Sequence, residues 1–230
     1  MAKFNKLTDE IAITIPYFEL KKSGELLGGL SEPYIISIAI SESGLKDTAA
    51  SLQLNNFFFP NIRKCTKVNF GGVGRVIYGP QNPGKFVTYS VLFMESDQDI
   101  RKSGANLEEF MNTVEVKAIT QALSLANPTY GAVAEIVRQV SALIGRFMKK
   151  NKDDELFRVE GTLLRDTSPP YYIGDTYEAF NKYIACPIHV MPMISEEDEG
   201  TAERGLITRS SANAISTFAD LPRSIVHAFK

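Results

Sequence analysis

Apolar positions recur with a period of two in several short stretches of this chain, and two-residue alternation predicts strands. In residues 11–22, Ile11, Ile13 and Ile15 face one way and Ala12 and Thr14 the other. Pro16 removes a hydrogen-bond donor there, so the strand is expected to bend or to lie on an edge. Residues 34–41 carry Ile36, Ile38 and Ile40 on one face. Residues 66–78 predict a long strand, with Gly71, Gly72 and Gly74 marking a bulge or sharp bend. In residues 86–94, Val87, Tyr89, Val91 and Phe93 alternate with Thr88, Ser90 and Leu92. Pro80, Asn82, Pro83 and Gly84 are turn formers between these last two segments, which predicts an antiparallel hairpin. Further strands are expected at 156–164 and 185–193, the latter with Pro187 and Pro192 marking an edge or its ends.

Between residues 106 and 150 the period changes. Leu107, Phe110, Met111, Val114, Ala118, Ala122 and Leu125 recur at steps of three and four, behind a capping Asn106 and the acidic Glu108 and Glu109. Asn127-Pro128 breaks the pattern. Val133, Ile136, Val137, Val140, Leu143, Ile144 and Phe147 then resume it, and Arg146, Lys149 and Lys150 suit a helix carboxyl end. Two helices of roughly 20 residues, about 30 Å each, are expected. Glu135 and Arg138 leave the second helix with a mixed polar face, which favours packing on a sheet over lying on a membrane. The fold class expected is mainly β. It is an antiparallel β-sandwich in one domain over 1–230, with an amphipathic helical hairpin inserted at 106–150 after the strand ending at Met94. A carboxyl-terminal extension follows at 195–230.

Composition changes this picture little. Hydrophobic residues make up 44% and charged residues 23%, the proportions of an ordinary soluble domain. A net charge of -2 supplies no field toward nucleic acid or anionic membranes, so no nucleic-acid partner is expected. The start carries Lys3, Lys6, Asp9 and Glu10 instead of an apolar signal core. No stretch approaches the roughly 18 apolar residues that span a bilayer. A cytoplasmic or otherwise non-secretory location is the expectation. Cys65 and Cys186 stand in no metal or redox spacing and read as small buried hydrophobes; they pair only if the fold brings them together.

Candidate chemistry is sparse. Glu95, Asp97 and Asp99 fall at every second residue after a strand, and Asp153 and Asp154 follow the second helix directly. A hairpin would bring these two groups together, and hard cations such as Ca²⁺ take several such oxygens. An acidic loop cluster at one end of a β-sandwich resembles the C2-type calcium- and lipid-binding modules, in general arrangement only. The resemblance implies calcium-dependent membrane or ligand binding, and no residue role carries over from it. Phe57, Phe58 and Phe59 cannot all face one side of a strand, so they are either a partner anchor or a satellite cluster. The glycines at 71–74 lack the Gly-Lys-Ser/Thr ending of a phosphate-binding loop. His189 lies three residues from Cys186, on the opposite face of a strand, and no serine sits in a nucleophile elbow. The reading favoured is a non-enzymatic interaction or structural subunit without a cofactor, acting through protein partners or self-association. The alternative is a calcium-dependent membrane- or ligand-binding module.

Overall fold

The computed structural model describes residues 4–22, 30–46, 52–96, 129–150, 152–194 and 207–208, with scattered positions from 107 to 119. The strands are β1 (Glu10–Ile15), β2 (Tyr17–Leu20), β3 (Pro33–Ser41), β4 (Leu52–Phe58), β5 (Thr66–Asn69), β6 (Arg75–Gln81), β7 (Phe86–Glu95), β8 (Asp154–Leu164), β9 (Thr176–Phe180), β10 (Ile184–Ile194) and β11 (Ile207–Thr208). A short helix α1 (Glu42–Lys46) and a long one, α2 (Tyr130–Lys150), accompany them. One sheet has the order β4-β3-β7-β8. The other has the order β5-β2-β10-β1-β6, with β9 and β11 also on β10. Apart from β10 with β11, the pairings are antiparallel. The mainly β expectation holds, in two sheets stacked like a sandwich.

The larger sheet is built from bent strands. β1 and β2 run consecutively along β10, with Thr14 opposite His189 and Leu20 opposite Ile184, and they break at Pro16. On their other side β6 and β5 follow the same bend. Phe70 N–H donates to Pro16 O at 3.1 Å, and Gly74 N–H donates to Gly71 O at 2.9 Å. Gly74 has φ +92, and a Cβ there would lie 2.3 Å from Ile15 O. The proline and the glycine run are thus one bend. Of the two outcomes expected at Pro16, the bend is the one found, because β1 and β2 are paired on both sides.

The stack has three layers. Ile11, Ile13, Ile15, Phe18, Cys186, Ile188 and Val190 meet Ile35, Ala39, Val87, Tyr89, Val91 and Phe93 in the interior between the sheets. On the far side of the smaller sheet, α2 lays Val140, Ile144 and Met148 against Tyr34, Ile36, Ile38, Leu92 and Met94. Val133 and Val137 continue this contact onto Ile40 and Phe86. Both faces of β3 and β7 are therefore covered, and every residue of both strands is buried. The polar members of the helix-facing row find partners: Ser90 and Ser141 hydroxyls lie 2.7 Å apart.

Two expectations are corrected. The segments on either side of residues 80–84 do not form a hairpin. β6 pairs with β1, while β7 pairs with β3 and β8, so this turn carries the chain from one sheet to the other. Turn residues encode a reversal of direction and leave the pairing partner open. The helical hairpin is not borne out either, since α2 is the one long helix among the described residues. Of the described positions before it, Leu107, Phe110 and Val116 are buried against the helix layer, whereas Val114 and Ala118, predicted on the same face, are exposed. Asn112 and Thr113 N–H groups bond back three residues, to Glu109 O and Phe110 O, and Thr113 Oγ1 accepts from Val116 N–H. Such bonds end a helix turn and interrupt the expected continuous helix. No helix among the described residues is long and apolar enough to cross a membrane.

Candidate functional site

The two sides of the stack are built differently. On one side β4 and β6, from different sheets, are joined by buried amides. Gly79 N–H donates to Gln53 Oε1 at 3.2 Å, and Asn55 Nδ2 donates to Ile77 O at 3.3 Å and to Ser37 Oγ at 3.4 Å. These side chains supply what a strand partner would supply, and so seal the seam.

On the opposite side lie β8 and β9, each paired along one edge only among the described residues. They are tied near one end by Asn181, whose Nδ2 donates to Leu156 O at 2.8 Å. Its Oδ1 accepts from Tyr183 and Ile184 N–H, which shapes the β9–β10 turn. Along β8, Phe157 and Val159 pack toward the interior, and Leu163 is buried there. Arg158, Glu160 and Thr162 fall on the alternate, helix-facing side. Arg158 donates to both Glu155 carboxylate oxygens, at 3.0 and 2.6 Å, and its Nη1 lies 4.0 Å from Glu160 Oε1. This pair sits against Gly145 of α2, where an added Cβ would lie 2.6 Å from Glu155 Oε2. On β9, Phe180 is 67% exposed, with Lys21 Nζ 4.9 Å from its ring centre.

Where α2 stands off from β8, a cleft of about 310 Å³ opens, lined by Thr88, Glu135, Arg138, Glu160 and Thr162 among others. Arg138 and Gln139 donate to the Glu135 carboxylate and hold its pKa down to about 2. The Thr88 and Thr162 hydroxyls are 3.1 Å apart. The cleft's lining is mixed, with Ala134, Val137 and Tyr89 beside these polar groups, and its one guanidinium is already engaged.

The acidic cluster expected from sequence is partly visible. Glu95 pairs directly with Asp154 across β7 and β8, and Glu95 and Asp153 are buried. Ser31 Oγ donates to Glu95 Oε1, and Tyr34 OH donates to Asp153 Oδ2 at 2.6 Å. Hydroxyl donors thus compensate two buried carboxylates, as burial of such groups demands. Asp97 and Asp99 lie outside the described residues. Among the described residues no group of three or more His, Cys, Asp or Glu is placed to hold a metal ion.

The aromatic run divides as its alternation requires. Phe59 packs on Phe18 and Phe70 at 5.1 and 5.3 Å, and Phe57 lies against the same interior under Arg75. Phe58 turns to the helix layer and meets Tyr34 at 5.5 Å. Cys65 is exposed and Cys186 buried, and both are free thiols, so the two do not meet. Burial pushes the Cys186 thiol pKa up and the His189 imidazole pKa down. Cys186 faces the interior and His189 the outer face, as the spacing predicts.

Arg158 and Glu160 were not singled out by the sequence reading. The available signal was a pair of opposite charges flanking Val159 at two-residue spacing on a strand. No protein-family model matches the chain, and no curated protein matches it. A solved Drosophila structure titled C2-DSL-EGF1 superposes with a TM-score of 0.37 and 8% identity, over 80% of this chain and 67% of that one. A likeness so slight carries no inference about fold or activity.

Proposed function

We propose that this protein is a non-enzymatic interaction or structural subunit of a larger assembly, built on a β-sandwich and acting through protein partners or self-association. The observation that carries this reading is the open side of the stack, where β8 and β9 stand, among the described residues, as edge strands of two different sheets. An edge strand presents a row of main-chain donors and acceptors to any strand that approaches, and strand addition is a common mode of recognition. The exposed Phe180 ring adds an apolar contact at the same side. Light scattering on the full chain, from micromolar to submillimolar concentration, tests the self-associating form. A mass that rises above one copy is the expected result; a strict monomer throughout overturns that form.

A second reading draws on the pairing of Glu95 with Asp154 and the burial of Asp153 beside them. In it, Glu95, Asp97, Asp99, Asp153 and Asp154 form a calcium site, and membrane contact belongs to this reading alone. A ligand that binds only the folded state raises the melting temperature by mass action. Millimolar Ca²⁺ would then raise it, and the double substitution Asp97→Asn/Asp99→Asn would abolish the rise. An unchanged melting temperature removes this reading.

A further inference from the structure

The edge of β8 has a definite polarity of main-chain groups. Arg165 N–H donates to Lys85 O at 2.9 Å, toward β7. Because successive residues alternate in direction, the N–H and C=O groups of Arg158, Glu160 and Thr162 point away from β7, toward the open side. The two ends of this stretch are already capped from that side. Asn181 Nδ2 donates to Leu156 O, and Thr167 Oγ1 donates to Leu164 O at 2.8 Å. What remains open among the described residues is a short run centred on Val159 and Glu160.

We propose that this edge takes β8 of a second copy of the chain, antiparallel, with a two-fold axis at Val159. This rests on the assembly reading given above and names its partner. In this register Arg158 stands opposite Glu160 of the second copy, and the axis repeats the pair. Each such pair can exchange two main-chain hydrogen bonds, since both residues direct those groups outward. The side chains of opposed residues are close neighbours, so opposite charges there attract. On the interior-facing side Phe157 falls opposite Gly161 of the second copy, a glycine covered by that copy's own Tyr89 ring. Neighbouring registers fail on charge. An axis at Arg158 or at Glu160 sets that residue opposite itself, and like charges directly opposed are destabilising. The charges that would ordinarily keep an edge solitary thus permit one partner and one register. The result joins two four-stranded sheets into one continuous sheet with an α2 on the same face of each half.

The experiment is sedimentation velocity with light scattering on the full chain, on Arg158→Glu, on Glu160→Arg, and on an equimolar mixture of the two. The expected result is a dimer for the unsubstituted protein and a dissociation constant raised roughly tenfold to a hundredfold by either change alone. The mixture regains the dimer, because each variant's altered charge meets its complement in the other. Amide hydrogen exchange on the unsubstituted protein checks the same point without any variant. The Arg158 and Glu160 amides gain protection as concentration rises. An oligomer whose mass ignores both substitutions, or fast concentration-independent exchange at these amides, overturns the β8 pairing and leaves the assembly reading in place. A strict monomer overturns both the pairing and self-association.

Discussion

Along β4 and β6, Gln53 and Asn55 cross from one sheet to main-chain groups of the other, while along β8 and β9 Asn181 makes such a crossing at one end. The first seam is part of the fold. Its amides are buried, and removing one leaves a main-chain group without a partner in the interior. The second seam carries partly exposed charged residues whose loss leaves nothing fully buried and unpaired. A sheet edge can be closed from within or left open, and among the described residues this molecule has one of each.

The comparison is broken most severely at Gly79, which sits at the sealed seam with φ +80 and would place a Cβ 2.3 Å from Ile11 O. Gly79→Val is expected to cost about 3 kcal/mol or more, from strained backbone and a main-chain clash, read by denaturant unfolding. Next comes Gln53→Leu, which leaves the Gly79 N–H without its acceptor. A loss of about 1–3 kcal/mol is expected in the same measurement. At the open seam, Asn181→Ala removes the acceptor of the β9–β10 turn and the donor to Leu156, with an expected cost of about 1 kcal/mol. Arg158→Ala should change monomer stability by no more than about 1 kcal/mol, because its ion pairs are partly solvated. If it proved as damaging as Gln53→Leu, the contrast between the seams would fail. The smallest effect is one of pH. Burial lowers the His189 pKa in the folded state, so protonation favours the unfolded chain. Its contribution is fully present above the unfolded histidine pKa and is lost as pH falls below that toward the folded value. The melting temperature should dip slightly across this window, and His189→Gln should remove the dip.

Much of the strand pattern was legible because alternation reports which side of a strand meets apolar surroundings. Pro16 and the glycines at 71–74 announced a bend, and it lies where they stand. Cys186 and His189 were separable to opposite faces by spacing alone. The edge at β9 was hidden in an aromatic stretch with no clear period, and Gln53 and Asn55 lie in β4, a strand not among those expected.

What the sequence by itself determined is therefore local: a β-rich chain, the positions and faces of its main strands, and one strongly amphipathic helix at 130–150. Only the tertiary structure decided that β6 and β7 belong to different sheets, that residues 112–113 interrupt the first helical stretch, and that one side of the stack is closed by amides while the other presents Arg158 and Glu160. Periodicity is set by each residue's own surroundings. Pairing, closure and open edges are set by which distant segments meet, and no single stretch of chain carries that information.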